Sequence, residues 1–182
     1  MKHKLCLHGL EVKNQAQLLN LAKRLLPGST VKVKIKEKYF TAAIDEYSKR
    51  LSRFAKLNII EVADEKIPDN ASEKEMEQIK EKEGNKILAK LPQNSFVVTL
   101  CIEGKEHSSE ELAKKIADIS MTSSHITFII GGSLGLSNTV KSKSALRLSF
   151  GKMTLPHQLM RVVLLEQIYR AFKINNNESY HK

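Results

Sequence analysis

His125-Ile126-Thr127-Phe128-Ile129-Ile130-Gly131-Gly132-Ser133-Leu134-Gly135-Leu136-Ser137 opens as a nearly continuous apolar run and ends in a glycine-rich turn. A short run of this kind, rich in β-branched residues, suits a central strand covered on both faces, and a helix start is expected near Ser137. Upstream, Ser108 with Glu111 forms a capping-box pattern ahead of Leu112, Ile116 and Ile119 at helical spacing, and Ser95–Ile102 reads as a strand. Downstream, Ala145–Phe150 alternates Leu146, Leu148 and Phe150 with Arg147 and Ser149, and a long helix is expected from about Pro156 to Phe172. Strand and helix therefore take turns, which is the pattern of a largely parallel sheet flanked by helices in an α/β protein.

The same alternation runs back toward the N-terminus. Leu57–Val62 is the next strand, and Ser72 with Glu75 caps a charged helix carrying Met76, Ile79, Ile87 and Leu88. From Lys38 to Ala55 an apolar stripe of Phe40, Ala43, Ile44, Tyr47, Leu51 and Phe54 leaves Lys49, Arg50 and Arg53 toward the polar side. Lys4–Leu7 and Val31–Ile35 are candidate strands, with a helix over Asn14–Leu26 between them that stops at Pro27-Gly28. The tail Lys173–Lys182 is expected to be loosely ordered.

At 182 residues with 41% hydrophobic residues, the chain has material for one compact core, while 8 glycines, 4 prolines and no tryptophan argue against a many-turned all-β or disordered chain. No apolar run reaches the roughly 18 residues of a membrane helix, and Lys2, His3, Lys4 and His8 interrupt the first ten residues, so a soluble, cytoplasmic protein is expected. Cys6 and Cys101 have no C-x-x-C partner, so neither a disulfide framework nor a cysteine metal site is encoded. Residues 1–56 carry 13 basic and 4 acidic residues, hence +9 of the formal +10. That field attracts polyanions, with a lysine-rich solvated face as the plain alternative.

Three stretches invite a ligand. The turn Gly131–Gly135 lets a ligand approach the backbone and offers exposed N–H groups, although the G-x-G-x-x-G spacing of dinucleotide sites is absent and a purely structural turn reads the same way. Leu148–Gln158 reads as a strand end, a compact loop and a helix start, and its Met153 and Leu155 either close the core or wall a slot for a flat base. The helix Gln158–Phe172 is apolar on more than one face through Leu159, Val162, Val163, Leu165, Ile168 and Ala171, as in a dimer interface or a central helix. His3, Cys6 and His8 do not share one strand face, which disfavours a metal site there.

Lys36-Glu37-Lys38-Tyr39-Phe40, Asp64-Glu65-Lys66, Phe128–Leu136, the string Leu155-Pro156-His157-Gln158-Leu159-Met160-Arg161, Glu166-Gln167-Ile168-Tyr169-Arg170-Ala171-Phe172 and the final Tyr180-His181-Lys182 together resemble the RlmH family. These are SPOUT-superfamily methyltransferases acting on N3 of a pseudouridine in large-subunit ribosomal RNA. The resemblance spans about residues 34–182 and implies a C-terminal trefoil knot, a homodimer, the assembled ribosome as partner, S-adenosyl-L-methionine as cofactor, and no metal. It places cofactor contacts at Leu100, Gly131, Phe150, Gly151, Lys152, Met153, Thr154 and Leu155, and target-base roles at His181 and Tyr180, with Arg161 or Arg170 stabilising anionic character.

The front of the chain departs from the family pattern. Either Lys2–His8 is the original first strand and Leu10–Lys32 an insertion, or Val31–Ile35 is that strand and residues 1–33 an extension; the spacing to Lys36 favours the second, with Val33 where the family has glycine. A non-catalytic ribosome-binding protein on the same fold is the rival reading. A nicotinamide-dependent oxidoreductase lacks both the glycine spacing and the acidic residue that it needs.

Overall fold

Both capping boxes form in the computed structural model, which describes residues 38–180 and, before them, the backbone of 4–7 and 10–14. The Ser72 hydroxyl accepts from the Glu75 N–H at 3.3 Å while the Glu75 carboxylate accepts from the Ser72 N–H at 2.8 Å, and Ser108 and Glu111 repeat this at 3.2 and 2.9 Å. Each pair satisfies two amides that a helix start leaves without partners.

In chain order the elements are β1 (Lys4–Leu7), β2 (Leu10–Asn14), α1 (Lys38–Leu51), β3 (Ala55–Ile59), α2 (Glu73–Leu88), β4 (Phe96–Glu106), α3 (Ser109–Thr122), β5 (His125–Ile130), α4 (Asn138–Ser142), β6 (Leu146–Ser149) and α5 (His157–Asn175). The strands form one sheet in the order β1-β3-β2-β5-β4-β6. β4 runs parallel to both β5 and β6, and β1 parallel to β3 and β5, as the alternation of strand and helix leads one to expect. The exception is β2, antiparallel to β1, β3 and β5, whose alternation of Leu10 and Val12 with Glu11 and Lys13 went unread in the sequence.

Strand side chains alternate between faces, and the sheet uses both. Val98, Leu100, Ile126, Phe128 and Ile130 pack with α1, α3 and α5, whereas Val97 and Ile129 meet Ile87 of α2 and Val140 of α4. Helices on both faces explain why β5 reads as an unbroken apolar run.

Several boundaries shift for identifiable reasons. β3 starts at the buried Ala55 and ends at Ile59, because Glu61 leaves the sheet to pair with Arg161 and its carbonyl accepts from Lys90 at 3.0 Å. β4 runs past Ile102 to Glu106, since Lys105 and Glu106 pair with Leu148 and Ser149 of β6. The tail departs most from expectation: α5 continues to Asn175, whose side-chain amide donates to the Ala113 carbonyl at 2.9 Å, and Tyr180 is docked against α5. The expected helix over Asn14–Leu26, the strand Val31–Ile35, the side chains of His3, Cys6 and His8, and His181 lie outside the described residues.

Candidate active site

Between Leu100 and Lys105 the register of β4 against β6 jumps: Leu100 pairs with Leu148, and so does Lys105. The intervening Cys101–Gly104 bulges out of the ladder near the C-terminal end of β4, where bulges in α/β sheets often border a site. Gly104 is what lets the bulge close again, because a Cβ there would lie 2.7 Å from the carbonyl carbon of Leu148. Glycine is equally required at Gly131, where a Cβ would sit 2.9 Å from the Gly135 carbonyl carbon. The turn that causes this approach is closed by the Gly135 N–H donating to the Gly132 carbonyl at 3.0 Å.

The β4 bulge and the glycine turn form two sides of a cavity of about 500 Å³, and the β6–α5 loop forms the third. Its volume lies within the roughly 300–1,000 Å³ of small-ligand sites. Leu100, Ile130, Leu136 and Leu148, all buried, give an apolar floor; Phe150, Met153, Thr154 and Leu155 line the loop side, and His157 and Met160 the start of α5. Ser149 braces the loop, its hydroxyl donating to the Ile102 carbonyl at 3.1 Å and accepting from the Gly151 N–H at 3.1 Å. On the β4 side, β6 is held by the buried Thr99, whose backbone N–H donates to the Ser144 hydroxyl at 3.2 Å, and by the Ala145 N–H donating to the Val97 carbonyl at 2.9 Å.

Six of the eight residues expected at the cofactor line this one cavity: Leu100, Gly131, Phe150, Met153, Thr154 and Leu155. Gly151 and Lys152 do not line it; Gly151, at φ +119°, turns the chain, and Lys152 is exposed. Met153 is 82% exposed and stands at the rim of the cavity. The expected helix start is present, with Ser137 as N-cap accepting from the Val140 N–H at 3.3 Å.

Sequence reasoning missed Cys101, Glu103 and Lys141 as wall residues. Glu103 and Lys141 face each other at 2.6 Å, and hydrogen bonding to Lys141 holds the Glu103 carboxyl below the usual carboxylate range. Burial, reinforced by Glu103, pushes the Cys101 thiol up. The only sequence signal for Glu103 is its place three residues beyond Leu100, and nothing in the sequence marks Lys141.

Of the residues expected at the target base, His181 lies outside the described residues, and Arg161, Arg170 and Tyr180 are found away from the cavity lining. Arg161 is largely buried and ion-paired to Glu61, and Arg170 is paired to Glu166 at 2.6 Å, so each guanidinium already meets a carboxylate. Tyr180 donates to Glu166 at 2.8 Å and stands edge-on to Tyr169, with ring centroids 4.9 Å apart. Neither arginine nor Tyr180 lines the cavity. The width of the apolar surface on α5 is accounted for in part within one chain, because Leu164, Leu165, Ile168, Ala171 and Phe172 are buried in the core shared with α1 and α3. Among the described residues no group of three or more His, Cys, Asp or Glu is placed to hold a metal ion, and no helix is long and apolar enough to cross a membrane.

Comparison with known proteins converges on the same region. Residues 30–181 match a family model described as a SPOUT methyltransferase. The chain is 60% identical over 150 residues to a protein of Clostridioides difficile (strain 630), and 61% to one of Clostridium novyi (strain NT). It is 62% identical over 150 residues to one of Clostridium botulinum (strain Hall). Each is named ribosomal RNA large subunit methyltransferase H, and each match covers 82% of this chain and 94% of the relative. Since the matched residues include every side of the cavity and the helix that follows it, the chain belongs to the RlmH family of SPOUT methyltransferases.

Proposed function

We propose that this protein transfers a methyl group from S-adenosyl-L-methionine to N3 of a pseudouridine in large-subunit ribosomal RNA on the assembled ribosome, working in the cytoplasm as a homodimer. Residues 34–182 are the methyltransferase domain in this reading, with residues 1–33 an addition in front of it and a trefoil knot in the C-terminal half. The observation that carries the proposal is the convergence of Leu100, Gly131 and the Phe150–Leu155 loop on one cavity. Three segments distant in sequence meet there and combine an apolar slot, main-chain polar groups and a glycine without a side chain to obstruct them. Those are the requirements of an adenosine bound through its flat face and base edge.

When bound, the cofactor supplies an electrophilic methyl group on a sulfonium. What the chain contributes is position and charge control, which can supply most of the acceleration when two reactants are held in line. Leu100, Phe150 and Leu155 would hold the adenine, with the Gly131 and Thr154 backbones beside it and Met153 at the rim. The acceptor nitrogen carries a proton that must leave before attack. Tyr180 and His181 are assigned to organising the base for that loss. Arg161 is assigned to the developing negative charge, a role for which it must part from Glu61; Arg170 is held by Glu166 and lies over the ring of Tyr180, 4.8 Å from its guanidinium carbon.

A homodimer is supported by the first turns of α5, where Leu159, Val162 and Val163 are only partly buried in the single chain. The test is methyl transfer from labelled cofactor to ribosomes lacking the modification, followed by mass mapping of the nucleotide. A single methylated pseudouridine is expected. Cofactor binding without transfer to any ribosomal RNA would instead favour a non-catalytic ribosome-binding role.

A further inference from the structure

The string Glu166-Gln167-Ile168-Tyr169-Arg170-Ala171-Phe172 lies away from the cavity, yet the structure gives its members a common task. Ile168 and Ala171 are fully buried, and Gln167 accepts from the Ser109 hydroxyl at 2.9 Å, tying α5 to α3. Phe172 stacks on Phe54 with centroids 5.6 Å apart, and Tyr169 meets Phe54, Tyr47 and Tyr180. That leaves Glu166 as the hub of a polar network: it accepts from Tyr180 at 2.8 Å and from two Arg170 nitrogens at 2.6 and 3.1 Å, and it shares a hydrogen bond with Tyr47. A second carboxylate, Glu178, is reached by Lys173 at 2.5 Å and by Arg53 of the segment after α1 at 3.2 Å.

We infer that Glu166 is a positioning residue for the transfer step: it latches the tail at Tyr180 onto a platform built from α1 and α5, and so fixes Tyr180 for its role at the target base. The inference rests on the proposed methyltransferase reading for its activity arm. The physical grounds are that residues near a chain end are ordinarily mobile, whereas Glu178 is held by Lys173 and Arg53, and Tyr180 by the Glu166 carboxylate, an edge-on aromatic contact and a cation over its ring. A charge-assisted hydrogen bond is about twice as strong as a neutral one, which suits a fastening that must hold while a large substrate docks.

The test uses the full chain with Glu166→Ala, Glu166→Gln and Tyr47→Phe, each confirmed to melt cooperatively. Hydrogen exchange of the C-terminal peptide reads the latch itself, because the amides of Asn177 and Glu178 are bonded to the Ile174 and Lys173 carbonyls at 3.0 and 2.9 Å. Exchange there is expected to rise about tenfold or more in Glu166→Ala, the scale of one lost charged hydrogen bond. A smaller rise is expected in Glu166→Gln, which keeps an acceptor for Tyr180, and in Tyr47→Phe. Single-turnover methyl transfer is expected to slow in the same order, with cofactor affinity kept within about twofold. Unchanged exchange at the tail, or a loss of cofactor affinity that parallels the loss of rate, would overturn the inference. A wild-type chain without transfer activity would instead refute the methyltransferase reading, and the exchange data would still decide whether Glu166 holds the tail.

Discussion

A methyl group in place of one hydrogen separates a blocked turn from a workable one at Gly131. The atoms that an added Cβ would meet are backbone atoms of Gly135, which no side-chain rotation relieves. Gly131→Ala is therefore expected to force the turn open, at about 1–3 kcal/mol, and to weaken cofactor binding by roughly tenfold or more, read by calorimetry. Cys101 reports on the same cavity from the opposite wall. Because burial and then Glu103 raise its pKa, the thiol is protonated at neutral pH and is expected to alkylate slowly there and faster as the pH rises. Saturating cofactor is expected to protect it, measured by mass spectrometry of the Cys101 peptide after iodoacetamide treatment. Equal labelling with and without cofactor would place the ligand elsewhere.

At the level of elements, what could be read from the sequence was what is local. β5 is observed with the bounds expected, His125–Ile130, because an unbroken apolar run followed by glycines leaves few alternatives, and both capping boxes form because their geometry is set within four residues. Ser108→Ala is accordingly expected to cost about 1 kcal/mol in urea unfolding. The bulge at Cys101–Gly104 was not legible, since it follows from the meeting of β4 with a strand some forty residues later, and the same is true of Glu103 and Lys141 as wall residues. The loose tail expected from composition was overturned by contacts of Glu178 and Tyr180 with Arg53 and Glu166, which no local pattern reveals.

That tail also gives the fold a pH signature. Burial raises the Glu166 carboxyl, but hydrogen bonds from Tyr47 on α1, Tyr180 on the tail and Arg170 on α5 outweigh it and leave the carboxyl below its ordinary value. A carboxylate lowered in the folded state stabilises that state above its unfolded pKa of about 4.3 and ceases to do so as the pH falls through the lowered value. Tail protection is thus expected to be complete at neutral pH and lost only in acid below the usual carboxylate range. Glu178 is likewise held below its ordinary value, by Lys173 first and also by Arg53. Comparison of the wild type with Glu166→Gln separates the two, and a tail that loosens already near pH 6 would contradict this assignment.

Across the whole molecule, charge and shape divide the work. Most of the net positive charge belongs to residues 1–56, so binding to ribosomal RNA is expected to weaken steeply with salt, and Lys49→Glu to lower affinity and flatten that dependence. Arg50 and Arg53 are partly spent on Glu46 and Glu178, which makes Lys49 the clearer probe. The cavity, by contrast, owes its form to three segments that only the tertiary fold unites. Calorimetric titration of the full chain with S-adenosyl-L-methionine, beside a Gly131→Ala variant shown to melt cooperatively, tests that union most directly. One saturable site per chain, weakened about tenfold or more by the added methyl group, is the expected result. Absence of binding to the wild type, or binding that the variant leaves untouched, would contradict it.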